Sequence, residues 1–188
     1  MSLESIVKMS DKEEVAIILD FLPYGYPLEQ KMNSPLAQAV GTNNFTLLQL
    51  VPRRGMKFEI GEEVYIGEGK RDKVQYILGR LPREKLTENA RVQLEEYVSR
   101  MVKSKEQKFV DFFNKAQAIN TRLHQLELLP GFGKKHTQAI LVERTQKPFL
   151  SFEDIKSRVH NLPDPVRAIE RRIMEELTEI QRNNLFIM

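Results

Sequence analysis

The sequence predicts an α+β protein of two domains, a small N-terminal β-barrel followed by an all-α C-terminal region. Two observations carry this prediction. Five short extended runs crowd into residues 1–83, and from Thr87 onward the apolar period switches to that of a helix. The length agrees, because 188 residues with 41% hydrophobic content suffice for one ordinary core or two small ones. The predicted boundaries are a barrel at 1–83, a helical connector at 84–118 and a second helical domain at 119–188.

The strands come first. "EEVAIILDFL" (13–22) is rich in β-branched residues, and "AQAVGTNNFTLLQLVP" (37–52) holds two extended runs about Asn43-Asn44, a pair that tolerates the positive φ of a tight hairpin. "FEIGEEVYIGEG" (58–69) and "KVQYILGRLP" (73–82) supply two more, punctuated by glycine. Five short strands suit a closed or partly open barrel, since closure removes edges that otherwise template aggregation. An OB-like barrel is the expectation.

The helices follow. Thr87 is placed to cap a helix through "ENARVQLEEYVSRM" (88–101). Ser104 and Gln107 have the spacing of a capping box, predicting a helix whose Phe109, Phe112 and Phe113 turn one side to the core. A third helix is expected to run to about Leu128, where "LELLPGFGKKHTQAILVER" (126–144) interrupts the pattern.

That interruption is the most informative stretch. Pro130 stops an incoming helix, and Gly131 and Gly133 supply a turn and leave the backbone open to a flat phosphate edge. The amides of Gly133, Lys134 and Lys135 are expected at the positive end of the next helix, with the two lysine charges beside them. Such a loop grips a nucleic-acid backbone without reading bases. A plain helix–helix turn explains the glycines, but neither the apolar Phe132 between them nor the trailing lysines. A Walker loop is excluded, because Leu128 stands five positions before Gly133 and Lys135 occupies the magnesium-binding Ser/Thr position. A dinucleotide fingerprint fails as well: its third glycine is His136, and no predicted strand precedes the loop.

The stretch resembles the helix-hairpin-helix motif of DNA- and RNA-handling proteins. The matching residues are Leu126 and Leu129 before the turn, Pro130-Gly131-Phe132-Gly133 as the hairpin, and Ala139, Ile140 and Arg144 after it; His136 stands where that motif carries a small residue. A second copy follows at an offset of 33 residues, with Leu162-Pro163 matching Leu129-Pro130, and Ile173, Glu176 and Thr178 matching Ile140, Glu143 and Thr145. Between them Ser151 is an N-cap with Asp154 at N3, and Asp164 caps a helix beginning at Pro165. The C-terminal region is thus expected to be a paired helix-hairpin-helix. In the second copy Asp164 and Val166 replace the two glycines, so that copy is expected to be structural.

Taken whole, the order of barrel, helical connector and paired hairpins resembles an archaeal family, domain-of-unknown-function family 655. The resemblance spans nearly the whole chain. It implies nucleic-acid binding, and since genes of such members lie beside transcription and ribosome-maturation genes, it implies RNA ahead of DNA.

Charge and composition bound the remaining function classes. Residues 1–99 carry 13 Lys+Arg and 15 Asp+Glu, net −2, whereas residues 100–188 carry 16 and 11, net +5. The basic tilt favours a polyanionic partner for the C-terminal half. The absence of cysteine excludes disulfides, thiol catalysis and thiolate zinc sites. No run approaches the roughly 20 apolar residues of a membrane span, and the N-terminus lacks the apolar centre of a signal peptide, so a cytoplasmic protein is expected. His124, His136 and His160 form no local ligand pattern, and Asp11, Glu13 and Glu14 read as a solvated strand entrance rather than metal ligands. The expectation is therefore no enzymatic step, no metal and no cofactor.

The predicted nucleic-acid contacts are Gly131, Phe132, Gly133, Lys134, Lys135 and Arg144. A second group lies in the barrel: Arg53 and Arg54 after a strand, Lys70, Arg71 and Lys73 in "GEGKRDK", and Tyr65 and Tyr76 as stacking candidates or core aromatics. Three functions compete on these residues: a nucleic-acid-binding module acting on RNA or DNA in RNA processing, ribosome maturation or transcription; an adaptor docking protein partners of those processes on its helical pair; and a nuclease or modification enzyme whose carboxylates converge only in the fold.

Overall fold

The computed structural model describes residues 12–27 and 34–187. The chain divides between Leu94 and Glu95 into two compact units, the first including Phe186 and Ile187 and the second ending at Leu185.

In the first unit all five expected strands form: β1 (Val15–Leu22), β2 (Leu36–Gly41), β3 (Leu47–Pro52), β4 (Glu63–Tyr65) and β5 (Val74–Arg80). They make one antiparallel sheet in the order β4-β1-β2-β3-β5. The register shifts at Ile18/Asp20, Gln49/Leu50 and Val51/Pro52, and such irregularities bend a strand and sharpen its twist. The sheet accordingly curls into a half-barrel, with β4 and β5 as its edges and no pairing between them among the described residues.

Both faces of this sheet are covered, which is why β2 and β3 are buried at every residue instead of alternating. Ala16, Ile18, Ala37, Ala39, Leu48 and Leu50 join Phe58, Val64, Ile66 and Val74 in the concave core, where Phe21 meets Phe58 edge to face at 5.8 Å. Buried amides serve the opposite face. Gln38 Nε2 donates to the Lys85 carbonyl at 2.6 Å, while its Oε1 accepts the Thr87 amide at 3.0 Å. Tyr26 Oη donates to Gln49 Oε1 at 2.9 Å, and the Gln49 amide donates to the Arg80 carbonyl at 3.1 Å. The expected cap at Thr87 is present: its Oγ1 accepts the Ala90 amide at 3.1 Å and donates to Asp20 Oδ2 at 2.6 Å, fastening the start of helix α1 (Glu88–Ser104) to the sheet.

The β2–β3 turn corrects one expectation. Positive φ falls on the buried Phe45 (57°), not on Asn43-Asn44. A residue thirty positions upstream organises the loop: the Glu13 carboxylate accepts the amides of Asn43, Asn44 and Thr46 at 2.8, 2.8 and 3.2 Å. Glu13 is therefore a turn organiser; Asp11 lies outside the described residues. A Cβ on Gly41 would overlap the Glu13 carboxyl group. Gly41→Ala is expected to lower the unfolding free energy by about 1–3 kcal/mol by dislodging that carboxylate. Glu13→Ala added to Gly41→Ala should then cost little more. Urea titrations of the two single variants and the double variant measure this, and strictly additive losses would refute it.

The second unit holds helices α2 (Glu106–Lys115), α3 (Lys134–Gln146), α4 (Phe152–Arg158) and α5 (Pro165–Thr178). The expected Ser104–Gln107 capping box does not form. Ser104 closes α1 and donates to the Met101 carbonyl at 3.2 Å, while Gln107 donates to Asp111 at 2.9 Å. Phe109 and Phe113 are in the core as expected.

Nor is the C-terminal region all α. Where a helix was expected up to Leu128, the chain forms a small hairpin of β6 (Ala118–Asn120) and β7 (Leu123–His124), then a 3-10 turn over Gln125–Leu128. Polar side chains that bond locally divert this stretch from helix. Asn120 Oδ1 accepts the Arg122 amide at 2.8 Å, Gln125 Oε1 accepts the Gln117 amide at 2.8 Å, and His124 Nδ1 accepts the Leu126 amide at 3.1 Å. No helix among the described residues is long and apolar enough to cross a membrane.

Candidate nucleic-acid interface

The loop at 129–133 is a β-turn followed by a helix start. The Phe132 amide donates to the Leu129 carbonyl at 3.0 Å, with Pro130 and Gly131 as the central residues and Gly131 at φ +83°. Proline followed by a positive-φ glycine is the residue choice of a type II turn. Leu126 and Leu129 are buried and anchor its incoming side. Gly133 then takes an extended conformation, φ −114° and ψ −174°, and α3 begins at Lys134.

The two glycines have different reasons to be there. Gly131 needs its positive φ, and a Cβ there would also touch Pro163 at 3.4 Å. Gly133 has a φ that any residue adopts, and nothing lies within 4 Å of its missing Cβ. What Gly133 provides is open approach to the backbone. Its own amide is engaged, since it donates to His136 Nδ1 at 3.2 Å, the position a capping-box carboxylate usually takes. His136 thus has a local role that its size alone did not suggest. The amides of Lys134, Lys135 and His136 have no partner four residues back within the helix, and both lysine side chains are exposed.

Two predicted contacts turn out to face inward. Phe132 is only 6% exposed and packs against Phe113 at 6.1 Å and His136 at 5.9 Å between ring centres. An apolar ring between two glycines on a turn fills the core beneath it, so Phe132 holds the loop in place and does not reach solvent. Arg144 donates to the carbonyls of Phe113 and Ala116 at 3.0 and 2.8 Å, satisfying the end of α2, and burial holds its pKa below the ordinary value. Burial likewise pushes His124 down, with Arg144 adding to the effect and Glu127 opposing it.

The second turn is built differently. Its positive φ lies at Asn161 (56°), three residues before the position matching Gly131. Asp164 caps α5 as expected, its Oδ1 accepting the amides of Val166 and Arg167 at 2.9 and 3.4 Å, with Pro165 as the first helical residue. Burial alone would raise the Asp164 pKa, but those amides and the Lys156 ammonium outweigh it and leave it lowered. The carboxylate thus occupies the place an anion would take at this helix start.

The two turns meet. Pro130 from the first, Pro163 and Asp164 from the second, and Arg167, Ala168 and Arg171 of α5 line one open cleft of about 340 Å³. Both arginines are exposed, and among the described residues neither has a recorded ion pair. Neither is among the contacts predicted from the sequence. Their i, i+4 spacing on an amphipathic helix was the available signal, obscured by the adjacent Arg172, which points the other way and is buried.

In the sheet unit, two predicted basic loops come together: the Arg53 amide donates to the Lys73 carbonyl at 2.8 Å, and Arg53 Nε donates to the Arg71 carbonyl at 2.8 Å. Arg71 Nε is itself bonded to the Gly67 carbonyl, and Lys73 is paired with Glu62. Arg54 and Lys70 remain exposed at the rim. Tyr65 and Tyr76 are 41% and 44% exposed, on β4 and β5, the two edge strands of the sheet. No three His, Asp or Glu side chains among the described residues cluster as metal ligands.

A family model described as "Protein of unknown function (DUF655)" matches residues 12–188. The chain belongs to the DUF655 family. A similar DUF655 protein from Archaeoglobus fulgidus, Af1531, has a crystal structure of which this chain matches 100% and which covers 94% of this chain, at 44% identity and a TM-score of 0.81. The uncharacterized protein MJ0038 of Methanocaldococcus jannaschii is 41% identical over 175 residues, which is 93% of this chain and 79% of that protein. Both relatives come from archaea, in line with the family resemblance read from the motifs.

Proposed function

We propose that this protein binds nucleic acid without acting on it chemically, gripping the sugar-phosphate backbone through the turn at 130–135. One observation carries the reading: an extended, unobstructed Gly133 leads into a thirteen-residue helix whose first-turn amides have no partner within the helix and lie beside two exposed lysines. In this reading the C-terminal unit is a paired helix-hairpin-helix whose first hairpin has lost its leading α-helix to the 3-10 turn at 125–128. The second hairpin does not grip phosphate at its own helix start, which Asp164 closes. The curled sheet is an OB-like barrel, and its β4–β5 loop with Lys70 and Arg71 is a second basic contact, since OB-folds use that loop on nucleic acid. RNA is favoured over DNA, with RNA processing, ribosome maturation or transcription as the setting and their protein machinery as further partners; this preference rests on the family resemblance.

The asymmetry of the turns gives the test. Gly133→Val fits the extended backbone and the open space around it, yet puts a branched side chain over the exposed amides. It is expected to weaken binding to RNA about tenfold while the protein stays folded, whereas Asp164→Asn, which keeps a capping side chain, should change affinity less than about twofold. Fluorescence anisotropy with labelled oligonucleotides measures both. Equal losses in the two variants would refute the assignment.

A further inference from the structure

We infer that the cleft between the two turns seats one unstacked nucleotide of a single strand, its phosphate on Arg167 and Arg171 and its sugar or base against Pro130 and Pro163. This rests on the reading above and deepens it, by naming single-stranded rather than duplex nucleic acid as the ligand class.

Three features of the cleft lead there. Its volume of about 340 Å³ lies at the small end of ligand pockets, suited to a group the size of a nucleotide. Its lining is mainly apolar, from Pro130 and Pro163 above the buried Ala168, and Arg167 and Arg171 stand one helical turn apart and exposed at its edge, where two planar guanidiniums can fork onto phosphate oxygens. Asp164 sets the direction of entry. Its carboxylate, already accepting two helix amides and pairing with Lys156 at 3.4 Å, repels a phosphate at its own end and leaves the arginine end for it.

Shape decides between single strand and duplex. The bases of a duplex stay stacked and paired, so none turns out into a concavity between two turns without breaking its pair. A single strand rotates a nucleotide outward at small cost, and apolar surface rewards the exposed base. Pro130 belongs to both the cleft and the first turn, so a strand seated in the cleft borders that turn.

The experiment uses the full chain, a fluorescein-labelled twelve-nucleotide single-stranded RNA and the blunt duplex of the same length, with anisotropy read across a salt series. Arg167→Gln with Arg171→Gln should weaken single-strand binding about tenfold and flatten its salt slope by about 1.4, the value for two phosphate contacts on a single strand, while duplex binding changes less than about twofold. Lys134→Ala with Lys135→Ala should weaken both ligands. An arginine variant that loses both ligands equally, or neither, while the lysine variant responds, overturns the cleft and leaves the turn standing. A wild-type protein that binds neither RNA overturns both. As a second measure on the unaltered protein, uridine monophosphate titrated by NMR should shift the amides of Arg167, Ala168 and Arg171 saturably; shifts absent or scattered elsewhere count against the seat.

Discussion

Replacing Arg172 by methionine is expected to lower the unfolding free energy by about 3–5 kcal/mol, the cost of taking the opposite charge from a buried carboxylate. Arg172 is 5% exposed and Glu176 is fully buried, and the two are joined by a 2.8 Å bond from Arg172 Nε to Glu176 Oε1. The same pair ties down the chain beyond α5. Arg172 also donates to the Asn183 carbonyl and to Gln181 Oε1, and Glu176 Oε1 accepts the Leu185 amide at 2.7 Å. Removing the guanidinium leaves the carboxylate desolvated and frees two anchors of the 181–185 segment. Replacing Glu176 by leucine in the Arg172→Met background should recover a large part of the loss, since two apolar side chains need no partners. Chemical denaturation of the single and double variants checks both statements. A single-variant loss under about 1 kcal/mol, or a double variant worse than the sum of the singles, would show that the pair does not hold this end of the unit.

The second large effect is on binding. If the turn at 130–135 grips phosphates, Lys134→Ala with Lys135→Ala should reduce affinity for all nucleic-acid sequences alike, by about ten- to a hundredfold near 0.1 M salt, and flatten the slope of log affinity against log salt by about 1 to 2. Stability should scarcely move. Both side chains are exposed at a helix start, where positive charge mildly opposes the local dipole. A site confined to the sheet unit predicts the reverse: the lysine variant would be silent, and Arg54→Ala with Lys70→Ala would carry the whole loss. Anisotropy with single-stranded and duplex RNA and DNA, read across a salt series, separates the two. Unchanged slope and affinity in a folded lysine variant would remove the turn from the interface.

Features set by neighbouring residues were legible in the chain. The β-branched run of β1, the caps at Thr87, Ser151 and Asp164-Pro165, and the Pro130-Gly131 turn depend on contacts within about four residues, which the order of side chains specifies by itself. Asp164 filling its own helix start was readable for the same reason.

What the tertiary structure decided involves partners far apart in sequence. Asn43-Asn44 looked like a positive-φ turn, but Glu13 satisfies its amides and moves the positive φ to Phe45. A third helix was expected to run to about Leu128, and the bonds of Asn120, Gln125 and His124 made the stretch before it a hairpin and a 3-10 turn. Phe132 and Arg144 had the composition of binding residues, yet the ring closes over Phe113 and the guanidinium caps α2, because a packed core and unsatisfied helix carbonyls take them first. Conversely, Arg167 and Arg171 share a cleft only because Pro130 and Pro163 lie side by side. Local order determined which turns and caps this chain makes. Only the packing of one turn on the other, which no short-range rule encodes, determined which charges share a cleft.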